Sequence, residues 1–236
     1  SNQKQKINLL KKFKVDFVII KKFNKNFSKI KSIEFIEKIL KKKLEAKFIF
    51  VSNNFRFGNK REGDVKELIK YEKRFHYKII KPKPLIKKRK TVSSSLIRSY
   101  LQKGKLEEVN KLLNRKWSIK GRVQRGKQLG KKIGFPTANI DIKDYVLACP
   151  GVYAVRVKMK NISKTIKGIA NLGYRPTFNE KKILLEVHLF NFYGNLYNKE
   201  LTVEFLKFIR KEKKFKNVDQ LKKQIKNDLL VAKNTK

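Results

Sequence analysis

The sequence predicts two domains of different class, an α/β half followed by an antiparallel β-barrel or β-sandwich that closes with a helix. Its 236 residues suffice for one large or two small domains, and 40% of them are hydrophobic, so a sizeable core can form. Before about residue 114 helical and strand-like segments alternate, and beyond it strand patterns predominate, separated by Gly, Pro and Asn turns. This change of pattern divides the chain near residues 114–116.

The first half predicts a parallel sheet, because its strands are separated by helices. Three apolar runs predict buried strands: "VDFVII" (15–20), "KFIFV" (47–51) and "YKII" (77–80). The first two predicted helices are "INLLKKF" and residues 32–44, the latter with Ser32 as its N-cap. A third helix begins at the capping pair Asp64 and Glu67, and two more are predicted around residues 96–101 and 105–113.

The second half predicts antiparallel strands with one buried face. The candidate strands are "WSIKGRV", "GVYAVRVKM", "TIKGIANLG", "KILLEVHLF" and "ELTVEFLKFI". In the second of these, alternation places Tyr153, Val155, Val157 and Met159 on one face. A helix is predicted over residues 219–232, where Leu221, Ile225 and Leu229 repeat every four residues.

The composition leaves two interpretations of the charge open. Lys and Arg number 62 against 19 Asp and Glu, a formal net charge of +43. Such a charge fits a nucleic-acid partner, but lysines spread along the whole chain also fit the residue usage of an AT-rich genome.

The remaining composition predicts a cytoplasmic protein without a membrane segment. The single cysteine, Cys149, excludes an internal disulfide framework and suits a reducing compartment. With two distant histidines it makes no zinc-site spacing, and neither an apolar run of transmembrane length nor a signal peptide occurs. The chain opens at Ser1 in what reads as the middle of a domain, so we expect a missing N-terminal piece.

Two neighbouring motifs are candidates for phosphate binding. "GRVQRGKQ" (121–128) resembles a P-loop, but Gln128 stands where a hydroxyl should follow Gly126 and Lys127, and the glycines and proline beyond it prevent a long helix. In "GKKIGFPTANI" (130–140) the glycines allow close approach to a phosphate, and Thr137 and Asn139 offer neutral oxygens suited to Mg²⁺. An ordinary turn that enters a strand explains the second motif equally well.

"KILLEVHLF" (182–190) contains a candidate catalytic carboxylate. Alternation places the aliphatic side chains on the core face and Glu186, His188 and Phe190 on the other. Glu186 could accept a proton from a hydroxyl group, or it could simply face solvent.

Five motifs, in this order and spacing, resemble the riboflavin kinase module of the bacterial bifunctional riboflavin kinase/FMN adenylyltransferase (FAD synthetase) family: "GFPTAN", "GVYAV", "ANLGYRPTF", "LEVHLF" and "IRKEKKF". The resemblance spans residues 117–236. The first half is similar to the family's adenylyltransferase module from its middle onward, through "FRFGNKREGD" (55–64) and "SSSLIR" (93–98). It departs at Ser52 and Asn54, where the family tends to have Gly and Asp, and it lacks the opening strand with the His-x-Gly-His motif.

The resemblance implies a truncated Rossmann-like nucleotidyltransferase domain over residues 1–115, and a Greek-key β-barrel with a C-terminal helix over residues 116–236. It implies that the chain uses ATP and Mg²⁺ to convert riboflavin to FMN, and that a native full-length protein also makes FAD. Its partners would be small molecules, with no specific nucleic acid and no membrane. We expect FMN but not FAD from the chain as given. The alternative is a basic nucleic-acid-binding protein on a degenerate enzyme scaffold.

The resemblance also implies roles for single residues. Glu186 would be the catalytic base and, with Arg210, would contact the flavin. Thr137 and Asn139 would hold Mg²⁺. The residues implied for ATP and its phosphates are Gly126, Lys127, Gly134, Phe135, Pro136 and Thr137. Those implied for the adenylyltransferase remnant are Ser93, Ser94, Ser95 and Arg98.

Overall fold

The structure, a computed structural model, describes residues 2–87, 89–126, 128–142, 145–159, 162–176 and 181–235. Its helices are α1 (Gln3–Lys12), α2 (Lys25–Ser28), α3 (Ser32–Glu34, continued by a π-helix over Phe35–Lys43), α4 (Val65–Lys70), α5 (Glu72–Phe75), α6 (Ser94–Gln102), α7 (Leu106–Leu113), α8 (Leu129–Lys132) and α9 (Val218–Lys233), with a 3-10 turn at Asn59–Arg61. Its strands are β1 (Phe48–Phe50), β2 (Arg56–Phe57), β3 (Gly63–Asp64), β4 (Lys78–Ile80), β5 (Ile86–Lys87), β6 (Lys90–Thr91), β7 (Ser118–Gln124), β8 (Ala138–Asp141), β9 (Gly151–Met159), β10 (Ile162–Pro176), β11 (Lys181–Leu189) and β12 (Glu200–Lys211).

The chain forms two compact units, one over Phe17–Thr91 and the other from the residues up to Asp16 together with those from Val92 onward. The unit over Phe17–Thr91 is α/β, as predicted, and its strands β1 and β4 pair in parallel. Its core includes Ile36 and Leu68, which are fully buried. Asp64 caps α4 through the backbone N–H of Glu67 (3.0 Å), which confirms the predicted helix start.

Two predictions in this unit are wrong. Residues 15–20 do not form a buried strand, since Phe17 is 88% exposed and no strand pairs with this run in the described part of the chain. Its backbone N–H and C=O groups therefore have no neighbouring strand with which to form hydrogen bonds. Ser32 is not an N-cap but the first residue of α3. Its backbone N–H donates to Glu62 (2.7 Å) and its hydroxyl donates to Glu67 (2.7 Å). The Ser32 side chain is therefore bonded to a carboxylate from elsewhere in the unit instead of to the first turn of its own helix.

The second unit is built on a closed six-stranded antiparallel barrel with the strand order β10-β11-β8-β7-β12-β9. Strands β9, β10 and β11 form a meander, and β8 lies beside β11 rather than beside β9, which follows it in sequence. This is the Greek-key arrangement that was expected. Leu185 and Val187 of β11, and Val155 and Val157 of β9, point into the barrel core as the alternation predicted.

Helices α6 and α7 pack on the same barrel core. Leu101, Leu106 and Val109 are buried in the cluster that contains Trp117 and Phe205, whose rings lie 4.6 Å apart. The predicted boundary, at residues 115 and 116, separates two catalytic modules and does not describe which residues pack together. It stays a prediction.

The C-terminal helix α9 covers part of the outer face of the barrel. Its last turns, through Leu229 and Ala232, pack on a second cluster that includes Val152, Ala154 and Ile169. Its first turn is capped by Asn217, which accepts a hydrogen bond from Gln220 N (2.9 Å). The helix bounds agree with the prediction to within one residue.

Candidate functional site

A row of mostly polar residues crosses the outer face of the barrel. Cross-strand register pairs Asn139 of β8 with Glu186 of β11, and Glu186 with Asn171 of β10. The row continues through Val152 of β9 to Arg210 of β12. Because neighbouring strands lie about 4.8 Å apart, Glu186 and Arg210 stand roughly 14 Å apart along the curved sheet.

A cavity of about 570 Å³ lies over this row. It is bounded by the segment from Gln128 to Thr137, by the outer face of the sheet and by the first half of α9 with the residues before it. Of the residues predicted for the site, the cavity brings together Phe135, Thr137, Asn139, Glu186 and Arg210. Other lining residues are Gly130, Lys132, Asn171, His188, Glu212, Lys213, Phe215, Val218, Leu221, Ile225 and Asp228.

The loop before β8 is folded back on itself by its glycines. Phe135 N donates to Gly130 O (2.7 Å), and a Cβ at Gly130 would stand 2.3 Å from Phe135 O, so only glycine fits there. Gly134 has φ +91°, in the left-handed region that favours glycine. The loop is tied to β11, because His188 Nδ1 lies 2.8 Å from the carbonyl oxygen of Pro136 and donates to it.

Asn139 brings an unsatisfied oxygen into the site. The residue is only 6% exposed, and its Oδ1 has no hydrogen-bond partner in the described structure. A buried polar atom without a partner costs about 1–3 kcal/mol, so this oxygen fits a ligand such as a metal ion or a donor group. Gly126 lies directly behind it, since a Cβ there would stand 2.2 Å from Asn139 Nδ2.

The opposite end of the cavity contains an ion pair between the partly exposed Arg210 and the buried Asp228. Arg210 Nε lies 3.0 and 2.9 Å from the two carboxylate oxygens of Asp228, and Nη2 lies 2.7 Å from Oδ2. Asp228 is 3% exposed, and it also accepts a hydrogen bond from Gln224 Nε2 (2.9 Å). The Arg210 guanidinium is 5.8 Å from the Phe215 ring centroid.

Sequence reasoning missed Asp228. The available signal was its place in α9 next to Leu229, at the edge of the stripe made by Leu221 and Ile225, where a carboxylate is unusual. His188 was placed on the correct face, but no partner was assigned to it.

Several predicted residues lie elsewhere. Gly134 and Pro136 shape the loop without lining the cavity, and Lys127 lies outside the described residues. The serines at the start of α6 are exposed: Ser93 caps the helix through Leu96 N (3.2 Å), and Arg98 Nη2 donates to Ser95 Oγ (3.2 Å). The proposed phosphate role of Ser93, Ser94, Ser95 and Arg98 stays a prediction.

The described residues contain neither a cluster of metal-binding side chains nor a membrane-spanning helix. No group of three or more His, Cys, Asp or Glu side chains in the described ranges could hold a metal ion. None of the helices that the structure describes is long and apolar enough to cross a membrane.

Comparison with known proteins gives consistent matches over both halves. Residues 113–236 match the family model for riboflavin kinase, and residues 1–96 match that for FAD synthetase. The bifunctional riboflavin kinase/FMN adenylyltransferase of Haemophilus influenzae is 41% identical, over 98% of this chain and 74% of its own length. Its counterparts in Buchnera aphidicola from Schizaphis graminum and in Escherichia coli K12 are 40% and 36% identical, each over 97% of this chain and over 74% and 73% of their own lengths. Among solved structures, one described as a macrolide-efflux protein from Streptococcus pneumoniae is 28% identical, with a TM-score of 0.85 over 100% of this chain and 75% of that one.

Proposed function

The chain belongs to the family of bifunctional riboflavin kinases/FMN adenylyltransferases, and on that premise we propose that the cavity over Asn139 and Glu186 is where ATP phosphorylates riboflavin. The family's kinase reaction gives FMN, and the riboflavin kinase match covers every residue that lines the cavity. One observation carries the proposal: Asn139, with its unsatisfied buried oxygen, and Glu186, with its carboxylate, are register partners on neighbouring strands.

Glu186 is the base in this proposal. Its carboxylate takes the proton from the 5′-hydroxyl of riboflavin, the hydroxyl oxygen forms a bond to the γ-phosphorus of ATP, and the bond from that phosphorus to ADP breaks. Phosphoryl transfer depends mainly on positioning and on charge neutralisation, so one carboxylate in place of a larger set of acid–base groups is enough.

Thr137 and Asn139 are the residues we propose for Mg²⁺. Both line the cavity, and both offer neutral oxygens, the hard ligands that Mg²⁺ accepts beside phosphate groups. The unsatisfied Asn139 Oδ1 supports this fit. Bound there, Mg²⁺ would neutralise negative charge on the ATP phosphates.

The ATP phosphates belong, in this proposal, at the loop end of the cavity. Phe135 lines that end, Gly134 and Pro136 shape the turn around it, and Gly126 lies behind Asn139; we propose these residues for the phosphates. Lys132 lines the cavity and supplies positive charge, and Lys127 is proposed for the same role from the sequence alone.

The flavin ring belongs at the other end. Phe215, Leu221 and Ile225 from α9 and the residues before it, and Val152 and Ile169 from the sheet, give this part of the lining an apolar character. Arg210 lines the cavity with them, and we propose that it contacts the flavin.

The second activity of the family concerns the first part of the chain. The FAD synthetase match over residues 1–96 supports adenylylation of FMN to FAD as the role of this part in a full-length family protein, and that the chain as given makes FMN but not FAD stays a prediction. Ser93, Ser94, Ser95 and Arg98, at the start of α6, are the residues we propose for contacts with phosphate there. For location we propose the cytoplasm, whose reducing conditions suit the free, buried Cys149.

The test is direct synthesis. Purified protein is incubated with riboflavin, ATP and Mg²⁺, and FMN is separated by chromatography and quantified by fluorescence. We expect FMN to accumulate in proportion to enzyme and to require both ATP and riboflavin. Folded protein that yields no FMN would overturn the proposal.

A further inference from the structure

Asp228 is a buried carboxylate in the cavity wall for which the proposed reaction has no use. It stands on α9 with 3% of its surface exposed, and a charge at that depth is stable only when it is paired and hydrogen-bonded. Three contacts of 2.7 to 3.0 Å from Arg210 and one from Gln224 meet that need.

The pairing leaves Arg210 little freedom. Nε and Nη2 are both engaged with Asp228, and Nη1 donates to Lys211 O (3.0 Å). A bidentate arginine–carboxylate pair fixes the plane of the guanidinium as well as its position. The orientation of Arg210 in the cavity therefore depends on a residue of a different element.

Asp228 also lies where α9 changes its surroundings. Beyond it, Leu229 and Ala232 pack on the apolar cluster at the outer face of the barrel. Before it, Leu221 and Ile225 line the cavity instead. The ion pair thus ties α9 to strand β12 at the point where the helix passes from the cavity to the apolar cluster.

We propose that Asp228 is a positioning residue for riboflavin: it fixes Arg210 and holds the first half of α9 as the apolar wall against the flavin ring. The inference rests on the proposed flavin contact of Arg210. It assigns Asp228 no direct contact with the phosphates or the reacting hydroxyl. Loss of the pair should therefore change flavin affinity rather than ATP affinity or the chemical step.

The experiment compares Asp228→Asn with a matched control, Glu204→Gln. Glu204 stands on the same strand as Arg210 and binds Arg156 (2.9 Å) and Lys158 (2.6 Å), but it does not line the cavity. Each variant is assayed for the KM of riboflavin, the KM of ATP, kcat and the melting temperature. Binding of lumiflavin, a flavin ring without the ribityl chain, is measured separately by fluorescence quenching.

For Asp228→Asn we expect the KM of riboflavin and the Kd of lumiflavin to rise about 10-fold or more, since breaking a buried ion pair is costly. We expect kcat and the KM of ATP to stay within about twofold, because the interaction lost is one of flavin binding. Glu204→Gln should lower the melting temperature and leave both flavin constants unchanged. Unchanged flavin constants in Asp228→Asn, or an equal rise in the KM of ATP, would show that the pair only stabilises the fold.

If Asp228→Asn does not fold, Gln224→Leu tests the same inference. It keeps the ion pair but removes the hydrogen bond that orients Asp228, so we expect the KM of riboflavin to rise about two- to fivefold. No rise in that variant would overturn the inference. The wild-type protein is assayed for FMN first, and its failure to make FMN would overturn the proposed function. If the wild type makes FMN but the variants leave the KM of riboflavin and the Kd of lumiflavin unchanged, only the role of Asp228 is overturned.

Discussion

Glu186 lies between two amides, Asn139 and Asn171, on the outer face of the barrel. Glu186→Gln keeps the shape of the side chain but cannot accept a proton. We expect kcat to fall by roughly 10²- to 10⁴-fold, the usual contribution of general acid–base catalysis, with a smaller change in the KM of riboflavin. Glu212→Gln is the control, because Glu212 lines the same cavity. A larger loss of kcat in Glu212→Gln would mean that the base has been assigned to the wrong carboxylate.

Thr137 supplies the second of the two neutral oxygens proposed for Mg²⁺. Thr137→Val is nearly isosteric and removes one oxygen ligand, so we expect half-maximal activity to need severalfold more Mg²⁺ while the melting temperature changes little. The matched control is Thr202→Val on β12, because Thr202 does not line the cavity. Identical Mg²⁺ titrations for the wild type and Thr137→Val would show that Thr137 does not bind Mg²⁺ and that the loop is an ordinary turn.

At the scale of single residues, alternation in β11 was enough to place Glu186 and His188 on the outer face. It did not indicate what they face, because a cross-strand neighbour depends on register. The contacts of the site join residues far apart in sequence: His188 meets Pro136 across 52 positions and Arg210 meets Asp228 across 18. The place of Asp228 beside an apolar stripe marked it as unusual, but a local pattern does not name a partner 18 residues away, and so the pair with Arg210 was not predicted.

The loop over residues 133–137 and strand β11 act together through the hydrogen bond from His188 to Pro136 O. His188→Asn places an amide N–H near the position of Nδ1, whereas His188→Gln places it near Nε2. We expect the KM of ATP to stay near the wild-type value in His188→Asn and to rise about fivefold in His188→Gln, the loss of one hydrogen bond. Equal KM values for the two variants would mean that the hydrogen bond does not position the loop.

Among the elements, five of the six barrel strands and α9 were predicted well because each has one apolar face and a regular period, whereas the short strand β8 was not among the predicted strands. The run at residues 15–20 has the composition of a strand, yet Phe17 and Ile19 are 88% and 70% exposed. Composition describes what a segment could bury, but a strand also needs a neighbouring backbone to pair with. Ser32 makes the same point for helix caps, since Glu62 and Glu67 reach it from positions about 30 residues away.

The stability of the whole barrel should depend on pH through Glu204, which lies between Arg156 and Lys158. Burial alone would raise the pKa of Glu204, but the hydrogen bonds from Lys158 and Arg156 outweigh it and hold the pKa below the ordinary value of 4.5. A lowered pKa in the folded state stabilises the fold fully above the unfolded value of 4.5, and the contribution is lost as pH falls through the lowered folded value.

The melting temperatures of the wild type and Glu204→Gln measure that contribution. We expect the wild type to be more stable at about pH 7, and the difference to shrink as the pH falls below the ordinary glutamate value. Glutamine does not titrate, so the variant corrects for every other group in the protein. A difference that stays constant down to about pH 3 would contradict the assignment of the pH dependence to this carboxylate.

The net charge of +43 belongs to the molecule as a whole, because its lysines and arginines are spread along the chain. Dispersed cations attract a phosphate backbone without reading bases, so we expect weak binding to DNA and RNA with no sequence preference. Each phosphate contact adds to the salt dependence, and affinity should fall steeply between roughly 50 and 200 mM salt. Fluorescence anisotropy with several labelled duplexes and single strands measures both quantities. Tight binding of one sequence at physiological salt would instead identify a dedicated nucleic-acid surface, and FMN formation that ceased when that sequence was bound would place the surface over the cavity.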